Sequence, residues 1–483
     1  MTVPVASAYR LPRRHYSKRQ TLMMTSASVA LAAALVLPQQ ARAQAFNTIG
    51  FTSGDATRTI TGANSETITI TAPTATIDWT ADDGTSSGNI IFLPSGNVAT
   101  FQGDAAAGNY TVLNRVVPLD ANRAIELNGS IYSFVDGGAI GGNIWFYSPG
   151  GIVVGSTAVF DVGGLLLSTI DATSFTASGN DFTAAFSQTD AGLGNISIAS
   201  GASITANGVD SYITMIAPRI EMQGNVNAHG SIAYVAAEAV STMSLNAGLF
   251  DITVPVGDGT SDSAGIVHSG STTVTAATGD PHNIYFVAVP KNQAMTMMLG
   301  GEIGFEAGTA AVDMNGDIIL GAGYNIDDSP AGVSGSPGGT GNAGVTISNA
   351  ILNADVTALT RGSTTVDASA GDVTFGGEVR IGSYFAPTNG DIDFIASGAG
   401  NVISIAGDLT LSSLYATSAP TITLQADSGG LIDVNGGALI EAGGISGGQI
   451  GSVVLTADGG TIDIAGYTDL RANVGAPTVT QNE

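Results

Sequence analysis

A three-part repeat near the C-terminus constrains the fold of this 483-residue chain more than any other sequence feature. Short runs of alternating apolar and polar residues come in sets of three, and successive sets begin at Ile392, Ile422 and Val453, about 30 residues apart. Gly, Asn, Asp or Ser residues separate the runs. A repeat of this length with three short strands is typical of a solenoid, in which every coil adds one strand to each of three parallel sheets. The runs cover residues 392–394, 402–405 and 409–411, then 422–424, 432–434 and 439–441, then 453–455, 462–464 and 469–471.

The alternation also predicts which side chains form the core. Since successive side chains of a strand point to opposite faces, we expect Ile422, Leu424, Val453 and Leu455 to stack inside the solenoid. The chain has 66 glycines and no long amphipathic helical pattern, so an all-β fold with almost no helix is expected. A β-sandwich is the alternative, although Asn-Gly hairpin turns are missing between the C-terminal runs.

A second informative segment spans residues 142–169. Two β-type runs, 144–147 and 152–154, flank the turn Ser148-Pro149-Gly150-Gly151, and a Gly-Gly pair precedes a third apolar run. This pattern is typical of stacked strands joined by tight corners, where glycine avoids a clash or adopts a positive φ.

The first 43 residues have the features of a signal peptide. Basic residues precede an apolar run over 22–37, and the small residues Ala41 and Ala43 predict cleavage before Gln44. The apolar run is too short for a membrane span. Because Arg13-Arg14 resembles part of a twin-arginine signal, export by the Sec or the Tat route stays open.

Charge and cysteine content narrow the partners and the compartment. All 40 acidic residues but only eight of the 14 basic residues follow residue 43, which gives the mature chain a net charge of about 8 − 40 = −32. Nucleic acid is therefore not an expected partner, and the charge favours solubility outside the cell. The chain has no cysteine, which suits passage through the oxidising periplasm in an unfolded state.

Five blocks in the first half of the chain occur in the order expected for one family. They are Ile77-Asp78-Trp79, residues 96–102, residues 109–116, residues 125–131 and residues 142–155. In this order they resemble the haemagglutination-activity domain, or secretion domain, of filamentous-haemagglutinin-like exoproteins exported by two-partner secretion. The chain has Ser148-Pro149-Gly150-Gly151 where that family commonly carries Asn-Pro-Asn-Gly.

The resemblance implies a right-handed parallel β-helix with an N-terminal cap, and an outer-membrane transporter of the Omp85 type as partner. It also implies a secretion motif made of Asn114, Arg115, Ser148, Pro149, Gly150 and Gly151. A structural role is an equal alternative, with asparagine and glycine at coil corners, proline fixing a turn and Arg115 pairing with an acid. The protein is then expected to be secreted by a Gram-negative bacterium, or to lie on its surface, after crossing the periplasm.

We therefore expect four regions along the chain: a signal peptide (1–43), a secretion-type β-helix domain (44–250), a loop-rich continuation of the solenoid (251–345) and regular coils (346–483). Within the third region, segments 257–270 and 325–344 are rich in Gly, Ser, Asp and Pro, which predicts loops that leave the solenoid. Between them, residues 282–292 predict one more buried strand that ends at a proline.

An enzyme is the alternative function, because parallel β-helices also include enzymes that cleave acidic polysaccharides. Such a site needs clustered carboxylates, whereas Asp82-Asp83 and Asp327-Asp328 lie in turn-like sequence and predict solvated acids. The histidines lack metal-ligand spacing at His229, His268 and His282. We expect no catalytic residue, no cofactor and no metal site.

The sequence thus predicts an exported, adhesin-like structural protein whose N-terminal domain nucleates folding of the β-helix. Its long surface is expected to contact a host cell, matrix or a neighbouring cell. No C-terminal run of membrane-barrel strands is recognisable, so a self-contained autotransporter passenger is a less favoured interpretation.

Overall fold

The described part of the chain forms a parallel β-helix in the computed structural model. The structure describes residues 44–84, 87–187, 193–208, 210–275, 282–291, 295–306, 316–329, 332–338, 343–382, 390–414, 419–443, 451–472 and 478–482. These residues include no helix, and hence no helix that is long and apolar enough to cross a membrane.

The strands are short and follow one another in chain order. The cap and first coils contain β1 Thr48–Thr52, β2 Ala56–Gly62, β3 Ser65–Ile70, β4 Thr74–Ala81, β5 Ile90–Leu93, β6 Val98–Gly103, β7 Thr111–Val116, β8 Ile125–Leu127, β9 Ser130–Phe134, β10 Asn143–Tyr147, β11 Ile152–Val154, β12 Val159–Val162 and β13 Gly164–Ser168.

The middle of the chain contains β14 Asp171–Ser178, β15 Asp181–Ser187, β16 Ile196–Ile198, β17 Ser203–Ala206, β18 Ile213–Ala217, β19 Ile220–Met222, β20 Asn225–Ala228, β21 Ile232–Ala236, β22 Thr242–Asn246, β23 Leu249–Thr253, β24 Ile266–His268, β25 Ser271–Val274, β26 Ile284–Ala288, β27 Met295–Phe305, β28 Asp317–Ala322, β29 Tyr324–Ser329 and β30 Gly332–Pro337.

The C-terminal coils contain β31 Ala343–Asn353, β32 Asp355–Thr360, β33 Thr364–Asp367, β34 Val373–Phe375, β35 Val379–Ile381, β36 Ile392–Ser397, β37 Val402–Ile405, β38 Leu409–Leu414, β39 Thr421–Asp427, β40 Leu431–Val434, β41 Ala438–Gly443, β42 Ser452–Asp458, β43 Thr461–Ile464, β44 Thr468–Ala472 and β45 Thr478–Asn482.

The coils stack into three parallel faces, as the repeat predicted. Face A runs from β4 and β7 to β41 and β44, and face B from β5 and β8 to β42 and β45. Face C runs from β3 and β6 to β40 and β43. The long strands β27 and β31 pair along face B with their first halves and along face C with their second halves. These two faces therefore form one continuous sheet.

The C-terminal coils have the predicted register. Ile422 pairs with Val453 and Leu424 with Leu455 in neighbouring strands of face B. The first three of these side chains are buried, and Leu455 is partly buried against the same core. All nine predicted runs lie within strands, because burial there alternates along each strand and leaves a clear sequence signal.

An outer sheet of six antiparallel strands, in the order β14-β15-β22-β23-β29-β30, was not predicted from the sequence. It consists of three hairpins, and each is inserted where the chain passes from face A to face B. The outer sheet packs on the outside of face A through a second apolar cluster. In that cluster, Trp145 contacts Phe182 with ring centroids 5.1 Å apart, and Phe250 contacts Tyr285 at 5.4 Å.

The outer sheet corrects the prediction of loops in the third region. Segment 325–344 leaves the solenoid as predicted, but most of it forms the hairpin β29–β30. Segment 257–270 contains one solenoid strand, β24. The predicted buried strand in 282–292 is present as β26, with every residue buried. Glycine and serine on the outer hairpin lower its apolar content, so its sequence resembles a loop.

Candidate functional site

Three successive corners between face A and face B stack on one another around the turn 148–151. This turn joins β10 to β11, and the neighbouring corners contain Arg123 and Ala124 on one side, Gly194 and Asn195 on the other. The Ile125 amide donates to the Gly151 carbonyl at 3.0 Å, and the Gly194 amide donates to the Pro149 carbonyl at 2.8 Å. Main-chain hydrogen bonds therefore join the three levels.

The stacked corners have room only for glycine at the closest approaches. A β-carbon on Gly150 would overlap the backbone of Arg123, and one on Gly194 would overlap the backbone of Gly150 and Gly151. Gly151 has a φ of +118°, a backbone conformation that residues with a side chain rarely adopt. Ser148 and Pro149 are buried. The turn is therefore an interior corner of the stack, and little of it lies on the protein surface.

Asn114 lies inside the solenoid, where it links three coils. The Trp79 Nε1 on β4 donates to Asn114 Oδ1 at 3.0 Å, and Asn114 Nδ2 donates to the Trp145 carbonyl on β10 at 3.1 Å. Both the side chain and its partners are buried. Because a buried amide without partners is costly, this asparagine fixes the relative register of the first coils.

Arg115 points to the other side of face A and pairs with acids, as the structural alternative predicted. Its guanidinium contacts the Asp171 carboxylate at the start of β14, and Nε lies 3.9 Å from Asp78 Oδ1. It also lies over the Tyr147 ring at 6.0 Å. Arg115 thus anchors the first outer hairpin to face A.

The region that contains these residues matches the model of a known protein family. Residues 92–327 match the TPS secretion domain, where TPS stands for two-partner secretion. This span includes Asn114, Arg115 and the whole turn 148–151. Residues 92–327 are thus a secretion domain of the two-partner secretion family. The resemblance to filamentous-haemagglutinin-like exoproteins is thereby confirmed.

Two solved structures are similar to this two-partner secretion exoprotein. The HMW1 secretion domain from Haemophilus influenzae is 16% identical, with a TM-score of 0.35 over 87% of this chain and 99% of that chain. The filamentous hemagglutinin secretion domain is 12% identical, with a TM-score of 0.35 over 90% of this chain and 100% of that chain. No curated protein matches the sequence.

The secretion domain indicates how this protein is exported. A TPS domain implies export across the outer membrane of a Gram-negative bacterium and a partner transporter in that membrane. The family is one of secretion domains and not of enzymes.

The N-terminal cap of the two-partner secretion protein closes the end of the solenoid, as predicted. β1 pairs antiparallel with β4, and β2 antiparallel with β3. Beside them, Phe46 stacks on Phe92 at 4.7 Å and contacts Trp79 at 5.0 Å. The predicted cleavage residues Ala41 and Ala43 lie outside the described residues, whereas Gln44 is the first described residue.

This cap contains a buried ion pair that was not predicted from the sequence. Arg58 Nη2 lies 2.6 Å from Glu66 Oε2, and the Glu66 side chain is fully buried. The signal was present, because Glu66 alternates in phase with the inward-facing Ile68 and Ile70 on β3.

Two of the residues considered for an enzyme, Asp328 and His268, lie in structural positions. Asp328 is buried, in contrast to the solvated acid that was predicted, and it accepts hydrogen bonds from Tyr285 Oη at 2.6 Å and Asn283 Nδ2 at 2.7 Å. His268 is buried between Gly300 and Thr272, and burial lowers its pKa to about 4. No group of three potential metal ligands occurs in the part of the chain that the structure describes.

Replacing Asp317 with asparagine should stabilise the protein at neutral pH. Burial, and then the negative charge of Asp355, raise the Asp317 pKa to about 6. The folded chain therefore binds this proton more tightly than the unfolded chain, and ionisation above pH 6 costs on the order of 2 kcal/mol. The gain from Asp317→Asn should be largest near pH 8 and vanish below about pH 4. Urea unfolding across this pH range measures it, and a gain that grows in acid would contradict the assignment.

Proposed function

We propose that residues 44–338 act as a module for secretion and folding nucleation, and that the later coils form a displayed, adhesive shaft. The partner is an outer-membrane transporter of the Omp85 type. The observation that carries this proposal is the burial of the turn 148–151 between two other corners. A transporter has little access to this turn after the coils close, so its sequence acts while the stack forms.

The arrangement of the cap favours folding from the N-terminal end. The antiparallel strands β1 and β2 close the first coil, and the aromatic residues beside them cover the end of the core. In a solenoid each added coil contacts mainly its neighbour, so a closed end provides a template for the next coil. Asn114 adds hydrogen bonds across the first three levels. These features support an N-terminal nucleus.

The outer sheet supports a module that extends beyond residue 250. Its last hairpin, β29–β30, ends at Pro337 and pairs with β23. The family match also continues to residue 327. A division at Val345 would cut through β31, so we place the boundary after Gly338, before that strand begins.

The later coils have the features of a display surface. Outward positions of face C bear polar side chains in register, with Ser404 beside Asp433 and Asp433 beside Asp463. Threonine and serine occupy further outward positions on the neighbouring strands. A regular polar surface of this kind suits contact with a host cell, matrix or another bacterial cell.

A chain that ends after Gly338 should be secreted like the full-length protein but bind cells less well. The module retains the cap, the stacked corners and the whole outer sheet, while it lacks the proposed shaft. Both chains are expressed with the cognate transporter, the fractions in periplasm and medium are measured, and the secreted proteins are incubated with cells, matrix and acidic polysaccharides. Retention of the shorter chain would refute the module. Release of oligosaccharides by the full-length chain would favour an enzyme.

A further inference from the structure

The N-terminal cap contains a buried carboxylate that is only half satisfied. Glu66 Oε2 accepts hydrogen bonds from Arg58 Nε at 3.1 Å and from the Ala45 amide at 3.1 Å, and it pairs with Arg58 Nη2. Glu66 Oε1 is also buried, yet it has no hydrogen-bond partner among the described residues. A buried, ionised oxygen without a partner is costly, so a donor is expected at this position.

The chain places Gln44 beside the same carboxylate, because the next residue, Ala45, is bonded to its Oε2 atom. The Ala45 amide is bonded to the same carboxylate, and consecutive backbone nitrogens lie roughly 3 Å apart. Gln44 is held in place on both sides, because Arg58 Nη2 donates to Gln44 Oε1 at 3.1 Å and Asn97 Nδ2 donates to the Gln44 carbonyl at 3.1 Å. Its own Nε2 donates to the Thr48 carbonyl at 3.1 Å.

We infer that the amino group of Gln44, once the preceding segment is removed, binds the buried Glu66 carboxylate and closes the cap. The inference rests on the proposed cleavage after Ala43. An α-ammonium supplies three donors and a positive charge, whereas the peptide nitrogen of an uncleaved chain supplies one donor and no charge. Removal of the signal segment thereby completes the nucleus from which the coils propagate.

The test compares two N-termini in two backgrounds. Mature protein starting at Gln44 is prepared with a free amine and with an acetylated amine, each with Glu66 and with Glu66→Gln. Lys291 is the only lysine after residue 43, so peptide mass mapping readily verifies that acetylation is confined to the N-terminus and that Gln44 has not cyclised. Hydrogen exchange of the peptide that contains Ala45 and Phe46 reports opening of the cap.

Acetylation should accelerate this exchange by roughly tenfold or more with Glu66, the change that corresponds to about 1.4 kcal/mol. It should have little effect with Glu66→Gln. An equal effect in both backgrounds would overturn the inference.

The pH dependence provides a second readout that does not need the Glu66 variant to fold. Among the described residues, the charged groups in contact with Gln44 or Ala45 are Arg58 on β2 and Glu66 on β3. A free α-amine ordinarily has a pKa of about 8, and pairing with Glu66 raises it. The slower exchange of the free-amine form should thus persist below pH 8. It should disappear as the pH rises above the pKa of the amine that is paired with Glu66. A difference that stays constant up to about pH 11 would overturn the inference.

N-terminal sequencing of secreted protein tests the cleavage position independently of the contact between the amine and Glu66. A start at Gln44 supports the proposed cleavage. A start elsewhere would refute that cleavage, while the recombinant protein starting at Gln44 would still show whether its amine binds Glu66.

Discussion

Replacing Gly150 with valine should trap the protein in the periplasm. A β-carbon at this position overlaps the backbone of Arg123, and the corner that contains Gly194 blocks movement to the other side. Since neither neighbour is a flexible side chain, the three levels must separate, at a cost of about 3 kcal/mol or more. The fraction in the medium should fall by roughly tenfold or more, because about 1.4 kcal/mol already changes an equilibrium constant tenfold.

Gly54→Val is the matched control for this variant. Gly54 is exposed, and a β-carbon there meets no atom within 4 Å. The same glycine-to-valine change should therefore leave the amount of protein in the medium unchanged. Comparable retention of both variants would show that the effect does not come from the stacked corner.

Replacing Leu424 with aspartate should open the C-terminal coils. Leu424 is fully buried between Phe394 and Leu455 of the neighbouring strands. The change leaves a cavity and places an unpaired carboxylate in the core, so we expect a loss of about 4 kcal/mol or more. Urea unfolding followed by circular dichroism measures the loss, and limited proteolysis locates it in the later coils.

Val454→Asp controls for the introduced charge. Val454 is half-buried on the outward side of the next strand, beside Thr423. This change should cost about 1 kcal/mol or less, because water continues to solvate the carboxylate. Similar midpoints for the two aspartate variants would mean that the assigned inward and outward positions are wrong.

The regular coils could be predicted because each of their strands is buried on its inner face only. In β36 and β39 buried and half-buried residues alternate, so the strand period is visible in the sequence. The spacing of successive leading strands then defines the coil. Local pattern and global fold agree in this region, and this agreement makes the prediction possible.

The outer sheet could not be inferred in the same way. Strands β10, β18, β21 and β26 are buried along their whole length because a second layer covers face A. A continuous apolar run is the signal of burial on both sides. The sequence contained these runs, but the layer that covers them comes from hairpins rich in polar residues and glycine, so its presence and topology were not apparent.

The sequence indicated which residues to consider for the candidate site, but it did not indicate which residues they contact. The residues Asn114 and Arg115 are adjacent, yet one points into the solenoid and the other pairs with Asp171, 56 residues away. Asp328 likewise has its partner Tyr285 at a separation of 43 residues. Hydrogen bonds between coils join residues that are distant in sequence, so a linear motif does not reveal their partners.

The most direct test of the central claim measures the secreted fraction of the chain that ends after Gly338, with and without Gly150→Val. Both forms are expressed with the same transporter and quantified in periplasm and medium. If residues 44–338 form the secretion module and the stacked corner must close for its coils to stack, the unmodified short chain reaches the medium as the full-length protein does, and the Gly150→Val form stays in the periplasm. Equal secretion of the two forms would contradict this account.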